Sequence, residues 1–266
     1  MLVPGGVNTY VNRRSSELPQ AMQQREAACT DRDEGPPLVL ASASPRRRAL
    51  LAALGARFSI IATDAEEEES PPPPAVSAGL PVLAMPPADH PALRAWRKAH
   101  AAALHCSDAV VLGADTVVVL DGEVLNKPED DDHARAMLSR LAGRYHTVYT
   151  GLCVLGASQT KGEPLQLAVE AAEVVFRPLS ADEIAAYVAT GEPLDKAGAY
   201  GLQGAGGGFV REVRGSYTAV VGLPLPLVHR MLSAAGVTGL HDPTAAYQRW
   251  LQSQGKEPLP CPPTRP

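Results

Sequence analysis

An uninterrupted apolar run at residues 109–113 constrains the fold more than any other feature of the sequence. The run, AVVLG, leads directly into Ala114, Asp115 and Thr116. A short, wholly apolar run of this kind is typical of a strand that is buried on both faces of a sheet. A carboxylate at the end of such a strand lies where open α/β sheets bind their ligands. The sequence therefore predicts an α/β fold with a site at Asp115.

Strand and helix patterns alternate along the rest of the chain. Strands are predicted at 38–41, 58–61, 117–120, 145–155 and 165–176, and after the glycine-rich loop 198–208. Helices are predicted at 46–54, 93–105, 130–141 and 223–235, and after Ser180, with Glu183 at capping-box distance. The apolar face of the 93–105 helix is predicted to comprise Leu93, Trp96, His100 and Leu104. One α/β fold with two lobes around a cleft is the simplest arrangement of these elements.

Three segments lack a folding pattern. Residues 1–36 mix charged, proline and glycine residues and predict a disordered leader. Residues 66–90 begin with an acidic run and continue with prolines, which predicts a surface insertion without a packed element. Residues 241–266 form a C-terminal extension that is expected to be disordered in its proline-rich part, after about residue 252. The folded domain is therefore predicted over residues 37–240.

Charge and composition argue against several classes of protein. The net charge is -5, which gives no support for a nucleic-acid partner. No stretch approaches the ~18 uninterrupted apolar residues of a membrane span, so no membrane association is expected. The four cysteines show neither a CxxC pair nor metal-ligand spacing with histidine, and the N-terminal residues do not resemble a secretory signal. Reduced thiols in a cytoplasmic protein are therefore expected.

A polar and basic cluster, SASPRRR at residues 42–48, lies at a predicted strand-to-helix turn. Backbone N–H groups at a helix start attract anions, and hydroxyl and guanidinium groups reinforce that attraction. Ser44, Arg46 and Arg47 are therefore candidate phosphate-binding residues. A solvated basic first turn with a serine cap is the alternative. Three arginines at a helix N-terminus oppose the helix dipole, which favours the phosphate hypothesis.

The remaining candidates are single residues. Asp115 can bind a divalent metal or act as a general base, and the alternative is an aspartate that caps a turn. Thr116 offers a hydroxyl group, and Lys127, in NKP, offers a point charge, although most loop lysines are merely solvated. Lys196 and Gln203 lie in DKAGAYGLQG, where small residues let a ligand approach the backbone and Gln203 offers a donor and an acceptor to a base edge.

Together these motifs resemble those of the Maf family of nucleotide pyrophosphatases. The motifs that match are SASPRR, ADTVV and DKAGAYGLQG, and the matching stretches cover most of residues 38–235 in the family's order. The resemblance implies the elongated Maf/inosine-triphosphatase-like α/β fold, with a central mixed sheet and two lobes around a cleft.

The resemblance also implies an activity. It implies hydrolysis of a nucleoside triphosphate between its α and β phosphates, assisted by Mg²⁺ or Mn²⁺. Asp115 would be catalytic and would bind the metal, and base preference would be set by Arg46, Thr116 and Gln203. The triphosphate would be held by Ser44, Arg46, Arg47, Lys127 and Lys196. The AGAYGLQG loop is similar to that of the subgroup that prefers dTTP and UTP.

Two departures from the family pattern bear on function. Ala49 stands where the family has glutamate, so Glu66, or its neighbour Glu67, is a candidate second metal ligand. Arg97 also stands where the family usually has glutamate, while Lys98 is retained. The loss at Ala49 leaves open a nucleotide-binding regulator of cell division with weak catalysis. A purine pyrophosphatase of the inosine-triphosphate type is a further alternative, against which the Gln203 loop argues. A homodimer is compatible with the sequence.

Overall fold

The computed structural model describes residues 35–63, 65, 70–157 and 166–255, and the description below refers to these residues. The strands are β1 (Leu38–Ala41), β2 (Ser59–Ile60), β3 (Val110–Leu120), β4 (Glu123–Leu125), β5 (Tyr145–Leu155), β6 (Gln166–Phe176) and β7 (Val210–Gly215). The α-helices are α1 (Pro45–Ala53), α2 (Pro74–Gly79), α3 (Pro91–Ala103), α4 (Asp131–Leu141), α5 (Ala181–Val188), α6 (Tyr217–Val221), α7 (Leu225–Ala234) and α8 (Pro243–Ser253).

The strands form one mixed sheet in the order β2-β1-β3-β5-β6-β7, with β4 paired to the second half of β3. Strand β1 is parallel to β2 and to β3, and the other neighbours are antiparallel. The predicted α/β fold with a central mixed sheet is therefore confirmed. Ala41, the last residue of β1, pairs with Gly113. Because β3 continues beyond this pair, Asp115 lies at the carboxyl end of the parallel strands, beside the turn that follows β1.

Three hydrophobic clusters pack around this sheet. The first includes Leu50 of α1 and Trp250 of α8. The second includes Leu138 of α4 and Phe176 of β6. The third, which includes Ala99 of α3, is built largely from small side chains. The predicted two-lobed arrangement corresponds to the first and second clusters, which lie along different parts of β3.

Helix α3 lies unusually close to the sheet. A Cβ atom on Gly113 would come within 2.1 Å of the carbonyl oxygen of Ala95, and one on Gly151 within 2.2 Å of the backbone nitrogen of Ala92. Real Cβ atoms do not approach other atoms so closely, so these two glycines allow the helix backbone to rest directly on β3 and β5. The short distance favours alanine on the buried face of α3.

The predicted apolar face of α3 is wrong in part. Leu93 is buried, but Leu104 follows the end of the helix and is 74% exposed. Trp96 and His100 are half-buried and stack on each other, with their ring centroids 5.0 Å apart. The side chains against the sheet are small ones instead, because the helix is too close for large ones.

Two segments without a predicted element contain helices. Helix α2 lies within residues 66–90 and buries Val76, whereas no packed element was expected there. Helix α8 lies within residues 241–266 and joins the first hydrophobic cluster through Ala246 and Trp250. Residues 1–34, 66–69 and 256–266 lie outside the described residues, so the predicted leader, disordered tail and domain limits stay predictions. Within the described part of the chain, no helix combines the length and apolar character needed to cross a membrane.

Candidate functional site

A cavity of about 1130 Å³ receives side chains from every predicted motif. The predicted site residues that line it are Ser44, Arg46, Arg47, Asp115, Thr116, Lys127, Lys196 and Gln203. Leu202 and Val221 of the first hydrophobic cluster also line the cavity, as do Val118 and Tyr200 of the second. The cavity therefore lies between the two clusters. Glu66, the predicted second metal ligand, lies outside the described residues.

Asp115 lies at the base of this cavity and is only 8% exposed. Its Oδ1 atom accepts a hydrogen bond of 2.8 Å from Nζ of Lys98. Its Oδ2 atom is buried and has no hydrogen-bond partner among the described residues, and Nη1 of Arg94 lies 3.9 Å from it. A buried carboxylate is stabilised by such an ion pair, and one of its two oxygens remains available to a ligand.

Helix α3 supplies the positive charge opposite Asp115. Arg94, Arg97 and Lys98 all line the cavity. Arg94 donates from Nε to the carbonyl oxygen of Ala88 at 2.9 Å and from Nη2 to Asp89 at 2.9 Å, so its guanidinium group has a defined position. Because residues four apart lie on one face of a helix, Arg94 and Lys98 both reach the cavity from α3.

The turn after β1 is stabilised by its own hydroxyl groups. Ser44 is the N-cap of α1 and accepts a hydrogen bond from the backbone nitrogen of Arg47 at 3.4 Å. Ser42 accepts from the backbone nitrogen of Ser44 at 3.2 Å and from Nη1 of Arg47 at 3.3 Å. The serine cap that was the alternative to phosphate binding is therefore present. It orients the first turn of α1 so that Arg46 and Arg47 line the cavity.

Arg47 begins a chain of hydrogen bonds that crosses the sheet. Its Nη2 donates to the Thr116 hydroxyl at 3.2 Å, which lies 2.8 Å from the Thr150 hydroxyl, and Thr150 donates to the carbonyl oxygen of Ala219 at 2.7 Å. A carbonyl oxygen only accepts, so the Thr150 hydrogen is used there, and the Thr116 hydroxyl must donate to Thr150. The chain therefore has one direction, from Arg47 to Ala219. Arg47 also donates from Nε to the carbonyl oxygen of Gly222 at 3.0 Å.

The two predicted lysines differ in how firmly they are positioned. Lys196 donates to the carbonyl oxygen of Glu192 at 2.6 Å and to Asp195 at 2.5 Å. Burial raises the pKa of Asp195, but its hydrogen bond with Lys196 and the charges of Lys196 and Arg46 outweigh burial and lower this pKa below its ordinary value. Lys127 lines the cavity but is exposed. Lys196 is thus positioned for a ligand, whereas Lys127 keeps its side-chain freedom.

The glycine-rich loop that carries Gln203 is fastened at both sides. The backbone nitrogen of Gly201 donates to the Tyr187 hydroxyl at 3.1 Å, and that of Ala205 donates to Oε2 of Glu192 at 2.9 Å. Tyr187 in turn donates to Oε1 of Glu192 at 3.0 Å. The Gln203 side chain donates from Nε2 to Oε1 of Gln254 at 3.0 Å. The loop is therefore a defined wall of the cavity.

Comparison with known proteins identifies the family. The family model described as Maf, Maf-like protein, matches residues 37–235. This chain belongs to the Maf-like family. A dTTP/UTP pyrophosphatase of Moorella thermoacetica is 48% identical over 200 residues, which cover 75% of this chain and 95% of that protein. A dTTP/UTP pyrophosphatase of Yersinia pestis is 46% identical over 210 residues, which cover 77% and 98%. Among solved structures, the Ham1 protein of Staphylococcus aureus matches with a TM-score of 0.35 and 14% identity, over 53% of this chain and 71% of that one.

The residues of this Maf-like chain fit a divalent cation that is shared with phosphate oxygens. No group of three or more histidine, cysteine, aspartate or glutamate side chains that could hold a metal occurs in the described ranges. Asp115, however, presents the buried Oδ2 atom, and an oxygen anion is the ligand that Mg²⁺ prefers. Mg²⁺ is commonly bound by one or two carboxylates, with phosphate oxygens and water completing its coordination.

Three residues that line the cavity or contact its wall were not selected from the sequence. Lys98 was noted only as a retained family residue, although a lysine between Ala95 and Ala99 on a buried helix face is itself a signal, because lysine is seldom buried without a partner. Arg94 lies one turn earlier on the same face. Gln254 was missed because its segment was expected to be irregular. Ala49, at the position of the family glutamate, packs against the first hydrophobic cluster.

Proposed function

We propose that this protein is a nucleoside triphosphate pyrophosphatase that hydrolyses dTTP, UTP and modified pyrimidine nucleotides to the monophosphate and pyrophosphate. The observation that carries the proposal is a buried carboxylate, Asp115, in a cavity that cationic side chains from four separate elements also line. A triphosphate has the negative charge to match these cationic groups. Among the described residues that line the cavity, the other carboxylate is Asp195, which is paired with Lys196, whereas Asp115 keeps one oxygen without a hydrogen bond and can act on a ligand. The names of the relatives in Moorella and Yersinia support the same reaction.

The cationic groups are placed to bind the triphosphate. Arg46 lies in the first turn of α1, where backbone N–H groups and the Ser44 hydroxyl also favour an anion. Lys196 and Lys127 reach the cavity from the opposite loops. Arginine and lysine at these positions would neutralise the charge that develops on the pyrophosphate leaving group.

Asp115 is the residue placed to act on water. In the reaction, a water oxygen attacks the α phosphorus, the bond from that phosphorus to the bridging oxygen breaks, and pyrophosphate leaves. Oδ2 of Asp115 would accept the proton of the attacking water, while the hydrogen bond from Lys98 keeps Oδ1 fixed. A bound Mg²⁺ or Mn²⁺ would neutralise phosphate oxygens, with Asp115 as its protein ligand and Glu66 as a predicted second ligand. Proton acceptance and metal binding are alternative roles for Oδ2.

The glycine-rich loop would select the base. Gln203 lines the cavity and offers an amide, which can pair with the edge of a pyrimidine. The loop is held in place by Tyr187 and Glu192, so the amide does not have to be ordered when substrate binds.

The thiols support the cytoplasm as the proposed location. Cys106 and Cys153 are free, and burial raises the pKa of both, so their reactive thiolate form is disfavoured. Such thiols persist unmodified in a reducing compartment.

Pyrophosphate release by the purified protein with Mg²⁺ or Mn²⁺ tests the proposal. The panel contains dTTP, UTP, CTP, ITP, 7-methyl-GTP and the standard purine triphosphates. Asp115→Asn is expected to lower turnover by about 10² to 10⁴-fold if Asp115 is the general base. Asp132→Asn is the matched control, because Asp132 is an exposed aspartate on α4, away from the cavity.

The outcomes separate the alternatives. Release from dTTP and UTP that Asp115→Asn abolishes supports both the reaction and the substrate class. Release from ITP alone would indicate the purine-type enzyme. Undiminished turnover in Asp115→Asn excludes the proposed role of that carboxylate. Tight nucleotide binding with no pyrophosphate release would indicate the regulatory protein that the loss of glutamate at Ala49 leaves open.

A further inference from the structure

Two side chains outside the described lining of the cavity support the glycine-rich loop, those of Tyr187 and Glu192. Tyr187 lies in the last turn of α5 and is 4% exposed. Glu192 is the first residue of a short 3₁₀ helix, Glu192–Asp195. Residues 200–203 of the loop do line the cavity. The two side chains can therefore act on a ligand only through the loop that they contact.

The carboxylate of Glu192 is bonded to the loop on both of its oxygens. Oε2 accepts from the backbone nitrogen of Ala205 at 2.9 Å. Oε1 accepts from the Tyr187 hydroxyl at 3.0 Å, and that hydroxyl accepts from the backbone nitrogen of Gly201 at 3.1 Å. A backbone N–H only donates, so the direction of each bond is fixed. The carboxylate thus holds the loop on both sides of residues 202–204.

The loop backbone rests directly on these two side chains. A Cβ atom on Gly204 would lie 2.1 Å from Oε1 of Glu192, and one on Gly206 would lie 2.6 Å from the Tyr187 hydroxyl oxygen. Real Cβ atoms do not approach other atoms so closely, so any larger residue would displace the loop. At these two positions the glycines accommodate side chains of the protein itself, and the carboxylate is enclosed against the backbone that it holds.

Glu192 also contacts the phosphate-binding side of the cavity, but through a different group. Nζ of Lys196 donates to the backbone carbonyl oxygen of Glu192 at 2.6 Å and to Oδ1 of Asp195 at 2.5 Å. Neither contact uses the Glu192 carboxylate. A substitution of that side chain therefore disturbs the loop and leaves both contacts of Lys196 in place.

We propose that Glu192 is a positioning residue that holds the glycine-rich loop for recognition of the nucleoside, independently of triphosphate binding. Its carboxylate fixes the loop at Ala205 directly and at Gly201 through Tyr187. The wall formed by residues 200–203 is then ordered before a nucleoside reaches it, so binding does not have to supply that order. This inference rests on the proposed function, because it divides recognition of the nucleotide between the loop and the cationic groups.

Glu192→Gln tests the proposal with little change in size. One oxygen of the carboxylate becomes an NH₂ group, which either faces the N–H of Ala205 or occupies the place to which the Tyr187 hydroxyl donates. One of the two bonds to the loop is therefore lost. The affinity for α,β-methylene-UTP is expected to fall by about tenfold, as for a hydrogen bond that is broken and left unpaired. The affinity for inorganic tripolyphosphate, which has no nucleoside, should stay as in the wild type.

Two further variants separate the loop from the charge. Asp195→Asn removes the carboxylate that pairs with Lys196 but leaves the Glu192 carboxylate in place. It is expected to change the affinities for the two ligands by the same factor, because both contain the triphosphate group. Glu129→Gln is the matched control, since it removes the same charge at an exposed position outside the described lining of the cavity. It should bind both ligands as the wild type does.

The ratio of the two dissociation constants, that of α,β-methylene-UTP to that of tripolyphosphate, decides the role of Glu192. A higher ratio in Glu192→Gln, but not in Asp195→Asn or Glu129→Gln, supports the inference. Tyr187→Phe breaks the same support at its other contact, so it should raise the ratio too, and the two changes together should be less than additive. Equal weakening of both ligands in folded Glu192→Gln, or no weakening, overturns the inference. Thermal unfolding checks that each variant is folded.

Hydrogen exchange of the Gly201 and Ala205 amides gives a second readout that needs no nucleotide. Both amides donate within the proposed support, so they should exchange faster in Glu192→Gln, and unchanged exchange overturns the inference. Pyrophosphate release by the wild-type protein tests the proposed function separately. A wild-type protein that binds α,β-methylene-UTP but releases no pyrophosphate from any nucleotide contradicts the proposed function, and the ratio of dissociation constants still decides the role of Glu192.

Discussion

The ammonium group of Lys98 donates a 2.8 Å hydrogen bond to Oδ1 of Asp115, and the two side chains are only 9% and 11% exposed. Lys98 comes from α3 and Asp115 from β3, so the pair joins two elements across the base of the cavity. Removal of one partner of a buried pair leaves the other charge without compensation, and this is more costly than the net stabilisation that the pair supplies.

Lys98→Met is therefore expected to lower the free energy of unfolding by about 3–5 kcal/mol and to abolish most of the turnover. Urea unfolding and pyrophosphate release measure the two effects. Arg135→Met is the control, because Arg135 pairs with Asp132 at an exposed position, where the loss is about 1 kcal/mol or less. Equal stability of Lys98→Met and wild type would contradict a buried ion pair at this site.

The chain from Arg47 to Ala219 predicts an effect of the fully buried Thr150 hydroxyl on catalysis. Thr150→Val keeps the shape of the side chain but leaves the Thr116 hydroxyl and the Ala219 carbonyl without their partner. We expect kcat/KM for UTP to fall by about tenfold and stability to fall by about 1–3 kcal/mol. Thr150→Ser retains the hydroxyl and should restore kcat/KM even if it loses some packing. Similar losses in the two variants would mean that the methyl group, not the hydrogen bond, is what matters.

Burial of His146 predicts a dependence of stability on pH. The imidazole is 1% exposed and lies 2.8 Å from the Tyr200 hydroxyl, and burial lowers the pKa of His146 from 6.5 to about 4. Between these values the unfolded state binds a proton that the native state does not bind. Stability is therefore unaffected above pH 6.5 and is lost as the pH falls toward 4, by no more than about 3 kcal/mol.

His146→Gln removes this titration, so its free energy of unfolding should fall less between pH 7 and pH 4 than that of the wild type. Urea unfolding at pH 7 and pH 4 gives the change in the free energy of unfolding for each protein. The contribution of the carboxylates is the same in both proteins and cancels when the two changes are compared. His105→Gln, at an exposed position, is the control and should follow the wild-type curve. A variant with the wild-type pH dependence would show that His146 does not carry the effect.

The close approach of α3 to the sheet predicts that Gly113→Ala is strongly destabilising. The new Cβ atom would lie 2.1 Å from the Ala95 carbonyl oxygen, so helix and strand must separate, at a cost of about 3 kcal/mol. The same separation moves Lys98 from Asp115, and turnover should fall with stability. Thermal unfolding measures the loss. Gly208→Ala is the control, because a Cβ atom there meets nothing within 4 Å. Equal melting temperatures of the two variants would contradict the close contact between Gly113 and the Ala95 carbonyl oxygen.

The strands and the polar motifs of the site were predictable because each depends on local pattern. The apolar run before Asp115 is the first part of β3, although the prediction that the strand ends there is wrong, since β3 continues through Asp115 to Leu120. The serines and arginines of the first turn lie where the motif predicts. The register that joins Ala41 to Gly113 is a tertiary property of parallel pairing and leaves no local signal. The prediction for the buried face of α3 is wrong for a related reason. A buried face marked by large apolar side chains requires an ordinary distance between helix and sheet, and here the helix is closer than that.

The sequence contains a helix-start signal for α8, although the prolines that follow favoured an irregular segment. Asp242 followed by Pro243 is a typical helix start, and the Asp242 side chain does accept from the backbone nitrogen of Ala245 at 3.0 Å. No pattern in the sequence could indicate that Gln254 meets Gln203, because 51 positions separate them and the packing of α8 on the first hydrophobic cluster brings them together.

The packing of Trp250 also means that tryptophan fluorescence can report whether α8 is attached to the core. The protein has two tryptophans, and Trp250 is enclosed by the core while Trp96 is half-buried on α3. In a Trp96→Phe background, all indole fluorescence would come from Trp250 of α8. A red shift of that emission, as the indole meets water, would then follow the detachment of α8 directly, at protein concentrations too low for calorimetry and without a label near the nucleotide.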